Sequence, residues 1–119
     1  MKKVMLVDDD LTMRSLLKTL LELEGYQVIV KGEGEENVII ESLRQEKPNV
    51  LILDVFLHHA NGMSLLHKIR QATDIQETTV LMTSGMDVKD QCLENGANGF
   101  LLKPYMPHQL TDWLRTICD

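Results

Sequence analysis

The chain has 119 residues, which is enough for one compact domain and leaves no room for a second of ordinary size. Hydrophobic residues make up 44% and charged residues 25%, a balance typical of soluble globular proteins. The net charge of -6 argues against a domain that binds nucleic acid or an anionic membrane by itself.

The amino-terminal segment does not have the pattern of a signal peptide or a membrane span. Its apolar run covers only Val4–Val7 and is ended by three aspartates. The two cysteines, Cys92 and Cys118, form no CxxC pair and stand at no metal-ligand spacing. Isolated thiols in such a chain favour the reducing cytoplasm as its location.

Five short apolar runs predict strands, and their compactness is typical of strands that are buried on both faces. In chain order they are Val4–Val7, Gln27–Val30, Val50–Leu53, Val80–Met82 and Phe100–Leu102.

Helical patterns of apolar residues alternate with these strands. Gly25 is predicted to end the first helix and Pro48 to stop the second, which is expected from Gly34 onward. A short fourth helix is expected near Val88 to Glu94. The other helices are marked by inward-facing stripes: Met13, Leu16, Leu17, Leu20 and Leu21 for the first; Val38, Ile39 and Leu43 for the second; Met63, Leu65, Leu66 and Ile69 for the third; and Leu110, Trp113, Leu114 and Ile117 for the last.

This alternation predicts an α/β fold of the (βα)₅ type, a doubly wound sheet of five parallel strands with helices on both faces. In such sheets, ligands bind beyond the carboxyl ends of the strands, at a topological switch point. The residues that follow each strand are therefore the candidate functional residues.

Charged and polar side chains gather at these strand ends. The first strand is followed by Asp8, Asp9 and Asp10, the third by Asp54, the fourth by Thr83 and Ser84, and the fifth by Lys103. Carboxylates packed together repel one another, and a hard cation such as Mg²⁺ with oxygen ligands relieves the repulsion. Mg²⁺, an amine and a hydroxyl are the groups that phosphoryl transfer needs, and a carboxylate nucleophile gives an aspartyl-phosphate. We expect Asp10 to act as a helix N-cap instead.

From end to end, the chain resembles response-regulator receiver domains, such as the chemotaxis response regulator. Each matching stretch is short, but their order and spacing together are specific. The stretches are Val4-Met5-Leu6-Val7-Asp8-Asp9-Asp10, Gly34-Glu35-Glu36, Pro48-Asn49-Val50-Leu51-Ile52-Leu53-Asp54-Val55, Asn61-Gly62, Ser84-Gly85, Gly96-Ala97 and Leu101-Leu102-Lys103-Pro104.

The resemblance implies a flavodoxin-like receiver domain over residues 1–119, with a role for each site residue. Asp54 would accept the phosphoryl group and also ligate Mg²⁺. The acidic pair Asp8 and Asp9 would bind the metal, Asp9 directly, and the backbone carbonyl of Phe56 would be a further ligand. Ser84 and Lys103 would hold phosphoryl oxygens, Ser84 and Phe100 would form the switch, and the Lys103–Pro104 bond would be cis.

The implied function is a signalling switch that catalyses only its own phosphorylation and dephosphorylation. Its phosphoryl donor would be a sensor histidine kinase or a phosphotransfer protein. Its output would be a protein or effector domain that the sequence does not identify. The domain itself would contact neither nucleic acid nor membrane.

Two departures from the family pattern stand out. Receivers usually have proline four residues after the phosphorylated Asp, where this chain has His58. The stretch from Ser84 to Lys103 is shorter than expected by roughly three residues, close to one helical turn, so the shape of the fourth helix is left open.

Two alternative functions stay open at this point. Asp8-Asp9-Asp10-Leu11-Thr12 also fits the DxDxT pattern of haloacid-dehalogenase-like phosphatases, in which the first Asp is the nucleophile, although Asp54 would then have no role. A pseudo-receiver, a binding module with the same fold and no phosphorylation, is the second alternative.

Overall fold

The structure is a computed structural model that describes residues 2–31 and 34–118, without the side chain of residue 118. The expectation for the Cys118 thiol therefore lies outside what the structure describes. Cys92 is a free, buried thiol.

Five strands form one parallel sheet, as the alternation of patterns predicts. Its strand order is β2-β1-β3-β4-β5, so the connections reverse direction between β1 and β3. The strands are β1 (Lys3–Val7), β2 (Gln27–Val30), β3 (Val50–Asp54), β4 (Thr79–Ser84) and β5 (Gly99–Leu102).

Five helices alternate with the strands and cover both faces of the sheet. The helices are α1 (Leu11–Leu23), α2 (Glu36–Glu46), α3 (Gly62–Gln71), α4 (Lys89–Glu94) and α5 (Pro107–Cys118). Because every second side chain of a strand faces the same way, the sheet divides the core into two clusters. One cluster joins the sheet to buried residues of α1 and α5, and the other joins it to buried residues of α2, α3 and α4.

The helix stripes are correct except at three positions. Leu16, Val38 and Ile117 are 57%, 53% and 42% exposed, so the prediction that they face inward was wrong. A helix buries only one stripe of its surface, and α1 carries more leucines than that stripe accommodates. Its fully buried positions are Leu17 and Leu21.

One helix begins later than expected, and the extent of the short fourth helix is now defined. Helix α2 begins at Glu36 rather than at Gly34, whose φ of 118° lies outside the helical region. Helix α4 has six residues, Lys89–Glu94, close to the short helix expected near Val88 to Glu94. No helix in the described part of the chain combines the length and hydropathy needed to cross a bilayer.

Candidate phosphoryl-acceptor site

Two carboxylates and one ammonium group meet at the carboxyl end of the sheet, where β1 and β3 lie side by side. Lys103 Nζ lies 2.9 Å from Asp8 Oδ2 and 2.9 Å from Asp54 Oδ2. Lys103 follows β5 and reaches past the end of β4 to make these contacts. Three residues that are far apart in the sequence therefore converge at the predicted edge.

The three groups share a site that is largely closed to solvent. Asp8 is 3% exposed and Asp54 is 9% exposed. Burial raises the pKa of Asp54, because loss of water disfavours a carboxylate; Lys103 opposes this effect and the neighbouring Asp8 adds to it. Burial alone would lower the pKa of Lys103, but its bonds to Asp54 and Asp8 outweigh burial and raise it. One cation therefore serves two carboxylates, and Asp54 remains incompletely compensated.

The segment after β1 is held by its own aspartates. Asp8 Oδ1 accepts a hydrogen bond from the Asp10 N–H at 2.9 Å. Asp10 Oδ1 accepts one from the Met13 N–H at 3.1 Å and caps α1, which confirms the N-cap prediction. The Asp10 side chain thus serves the helix, while Asp8 faces Lys103.

Asp9 is directed toward the loop between β3 and α3. Its Oδ2 accepts a hydrogen bond from the backbone N–H of His58, and the His58 Nδ1 lies 3.4 Å from the same oxygen. Both residues stand out in the sequence, but His58 does so only as a departure from the family pattern. Side-chain types and spacing do not reveal a contact made by a backbone N–H group.

The loop after Asp54 is folded tightly against its own strand. Asp54 Oδ1 accepts a hydrogen bond from the Phe56 N–H at 3.2 Å, and Phe56 and Asn61 form a single β-bridge. The Gly62 N–H donates to Val55 O at 2.8 Å. A Cβ atom on Gly62 would lie 2.7 Å from Val55 Cα, so this position has no room for a side chain. The Asn61-Gly62 pair in the sequence is the signal of this close approach.

Ser84 and Phe100, the two predicted switch residues, lie on β4 and β5. The Ser84 hydroxyl is fully buried and accepts a hydrogen bond from the Met86 N–H at 2.9 Å. Its backbone carbonyl accepts one from the Lys103 N–H at 2.8 Å, just before the Lys103–Pro104 bond, which is cis as expected. Phe100 is partly buried and packs against the cluster that contains α2, α3 and α4.

The site opens into a cleft with a volume of about 360 Å³. The lining residues are Asp8, Asp9, Asp10, Asp54, Phe56, His58 and Lys103. As the side chains lie, no three acidic, histidine or cysteine groups among the described residues are arranged to hold a metal ion. The donor set nevertheless fits Mg²⁺, since it offers carboxylate oxygens with more negative charge than Lys103 neutralises.

Comparison with known proteins points to one family. A family model described as the response regulator receiver domain matches residues 4–115. The transcriptional regulatory protein CpxR of Escherichia coli is 37% identical over 119 residues, and a probable transcriptional regulator ycf27 of Cyanophora paradoxa is 34% identical over 118 residues. Each alignment covers 98% of this chain but only 49% and 48% of the relative, so the chain spans about half the length of these regulators.

Solved structures give the same result. A putative response regulator from Chloroflexus aurantiacus aligns with a TM-score of 0.87 and 29% identity, over 98% of this chain and 96% of that one. The BeF₃-activated receiver domain of RstA from Klebsiella pneumoniae aligns with a TM-score of 0.86 and 26% identity, over 98% and 97% of the two chains. With the sheet order and the family match, these likenesses show that the chain belongs to the receiver domains of two-component response regulators.

Proposed function

We propose that this receiver domain, over residues 1–119, carries its phosphoryl group on Asp54 and is a switch rather than an enzyme that turns over other substrates. The observation that carries the proposal is the Lys103 ammonium group, which lies 2.9 Å from both Asp54 and Asp8 at the mouth of the cleft. This arrangement places a fixed positive charge beside the carboxylate that would react.

The reaction is a transfer between two nucleophiles. An Asp54 oxygen attacks the phosphorus of a phosphohistidine, the O–P bond forms and the P–N bond breaks, and the histidine nitrogen keeps the electron pair. Lys103 then stabilises the charge on the phosphoryl oxygens. Ser84 donates its hydroxyl proton to another of these oxygens; the hydroxyl only accepts in its bond with the Met86 N–H, which leaves that proton free to donate.

Bound Mg²⁺ would supply further charge neutralisation at the reacting phosphoryl group. Its ligands in this proposal are Asp9, Asp54 and the carbonyl of Phe56, with Asp8 as the second member of the acidic pair. All four of these residues line the same cleft.

The proposed switch involves Ser84 and Phe100. When the Ser84 hydroxyl turns toward the phosphoryl group, Phe100 on the neighbouring strand moves inward behind it. Phe100 is only partly buried now, so it has solvent-exposed surface to lose in such a movement. Phosphorylation would thereby bias two conformations of the face formed by α4, β5 and α5.

The partners follow from the family. We propose a sensor histidine kinase or phosphotransfer protein as donor, an output protein or effector domain as recipient of the signal, and the cytoplasm as location. The curated relatives are named as transcriptional regulators, but the net charge of -6 supports no direct DNA contact by this domain.

The phosphoacceptor is tested by mass spectrometry after incubation with acetyl phosphate and Mg²⁺. The parent is expected to gain one base-labile phosphoryl group, and Asp54→Asn none. Asp10→Asn is the matched control, because asparagine also caps helices and the gain should persist.

Two outcomes would overturn the proposal. A gain by Asp54→Asn that is lost in Asp8→Asn would place the nucleophile at Asp8, as in the phosphatase alternative, and steady turnover of a chromogenic phosphate ester would support that reading. A folded parent with no gain would favour the pseudo-receiver.

A further inference from the structure

The three acidic residues of the proposed metal site do not share one partner. Asp8 and Asp54 face Lys103, whereas Asp9 Oδ2 contacts both the backbone N–H and the imidazole of His58. This divergence explains why no three such groups among the described residues stand ready to hold a metal ion. Asp9 Oδ2 is therefore occupied by His58, and a cation that takes this oxygen has to compete with the His58 N–H.

The His58 contact depends on a donor that the usual residue at this place lacks. Proline, which receivers usually carry four residues after the phosphorylated Asp, has no backbone N–H. A chain with proline at this place therefore could not form the contact that this chain forms. The side chain of Asp9 is only 15% exposed, while the His58 side chain is 82% exposed, so the imidazole that contacts Asp9 is itself largely in solvent.

His58 lies in the middle of the loop that the Phe56–Asn61 bridge closes. The same loop carries the carbonyl of Phe56, a proposed metal ligand, and the Phe56 N–H that donates to Asp54. A bond from the centre of this loop to Asp9 thus ties the segment after β1 to the segment after β3.

Resting on the proposed function, we infer that the His58 N–H is a latch on Asp9: it holds this carboxylate in a metal-free position, and Mg²⁺ binding breaks the bond and releases the loop. His58 is a positioning residue here, since it acts on the metal through Asp9. Because a hydrogen bond to a charged group contributes more than a neutral one, its loss opposes Mg²⁺ binding measurably.

Amide hydrogen exchange at His58, followed by NMR, tests the latch first in the metal-free protein and then with Mg²⁺ added. In the metal-free parent the His58 N–H should exchange about tenfold or more slowly than in Asp9→Ala, which removes the acceptor. Saturating Mg²⁺ should abolish that protection in the parent. Equal exchange rates in metal-free parent and Asp9→Ala would overturn the latch, as would protection that persists at saturating Mg²⁺.

Calorimetric titration with Mg²⁺ tests the consequence for affinity. The matched pair is His58→Pro and His58→Ala, because both remove the imidazole and only proline removes the N–H. His58→Pro should bind Mg²⁺ about tenfold more tightly than His58→Ala, which corresponds to about 1.4 kcal/mol. If His58→Pro fails to fold, the exchange measurement still decides.

The outcomes separate the latch from the proposed function. A parent that binds Mg²⁺ with His58→Pro and His58→Ala equal in affinity overturns the latch alone. A parent that takes up no Mg²⁺ overturns the metal site of the proposed function and the latch with it.

Discussion

The positively charged side chains at the two ends of the sheet have different kinds of partner. At the amino end, Arg70 donates four hydrogen bonds, to the carbonyls of Gly96, Gln76 and Thr78 and to the side chain of Asn98, at 2.7–2.9 Å. Here one cation donates to neutral oxygens, with the Glu77 carboxylate nearby, and joins α3 to the loops before β4 and β5.

At the carboxyl end, one cation faces two carboxylates that compete for it, with a third directed at a loop. The cation at the amino end therefore has its hydrogen bonds formed. At the carboxyl end, the carboxylates carry more negative charge than Lys103 neutralises, so a further cation could bind there. Under the proposed function, stabilising and reactive charged groups are therefore located at opposite ends of the same strands.

The largest effect is expected when Arg70 is replaced, which tests whether the amino end stabilises the fold. Arg70→Met should lower the free energy of unfolding by about 2–4 kcal/mol, because three backbone carbonyls and the Asn98 side chain lose a charged donor, and the bond to Thr78 O is partly buried. Arg44→Met is the matched control: Arg44 forms an exposed ion pair with Asp74 at 2.8 Å, and its loss should remove less than about 1 kcal/mol. Urea denaturation measures both.

The same variant tests whether the two ends are independent. Below its melting range, Arg70→Met should gain a phosphoryl group from acetyl phosphate as the parent does. Loss of phosphorylation in the folded variant would show that the amino end also supports the chemistry.

The second prediction concerns how long the carboxyl end keeps its phosphate. Phe56, at the mouth of the cleft, is 54% exposed, and Met86, two residues past Ser84, is 62% exposed. Neither side chain orients a water by hydrogen bonding, so hydrolysis should be slow. The Phe56→Asn, Met86→Glu double variant should lose phosphate about 10- to 100-fold faster, roughly 1.4–2.8 kcal/mol in barrier height.

First-order decay of the phosphorylated protein in excess Mg²⁺, after removal of the donor, gives this rate. Met106→Glu is a control for the added charge, because Met106 is 59% exposed on the loop after β5. Equal lifetimes in the parent and the double variant would show that Phe56 and Met86 do not exclude water.

The smallest effect is a difference in pH dependence. Burial raises the pKa of Asp54 above its usual 3.8, so the folded state favours the protonated form. The stabilising contribution of this group is fully present below pH 3.8 and is lost as pH rises through the higher folded pKa. Relative to Asp54→Asn, the parent should therefore become less stable over that window.

Urea midpoints of parent and Asp54→Asn at several pH values measure this difference, because shared titrations cancel. A parent that instead gains stability relative to Asp54→Asn as pH rises would mean that Lys103 more than compensates for burial.

Much of the fold could be predicted because hydrophobic pattern and turn residues are local properties of the chain. The strand Gln27–Val30 and the cap formed by Asp10 agree with prediction. The exposure of Leu16 and Val38 could not be predicted in the same way, since which leucines and valines a helix buries depends on its rotation against the sheet.

The site divides along the same line. Asp8, Asp54 and Lys103 could be placed together because parallel strands bring their carboxyl ends to one edge. Two other bonds depend on loop conformation: the bond from the His58 N–H to Asp9 and the bond from the Met86 N–H to Ser84. Nearly every residue has a backbone N–H, so the residue type does not predict which of these groups donates.

The division of each strand into an apolar body and a reactive end has a consequence for evolution. Strands β1 and β3 are built mainly from Val, Leu and Ile, whose exchange for one another usually costs under about 1.5 kcal/mol. The residue types possible at the strand ends are instead restricted by the charge and the functional group that the site needs. Under the proposed function, mutation can therefore alter most of the core gradually while signalling is retained, whereas one substitution at Asp54 would silence the domain and leave a folded product.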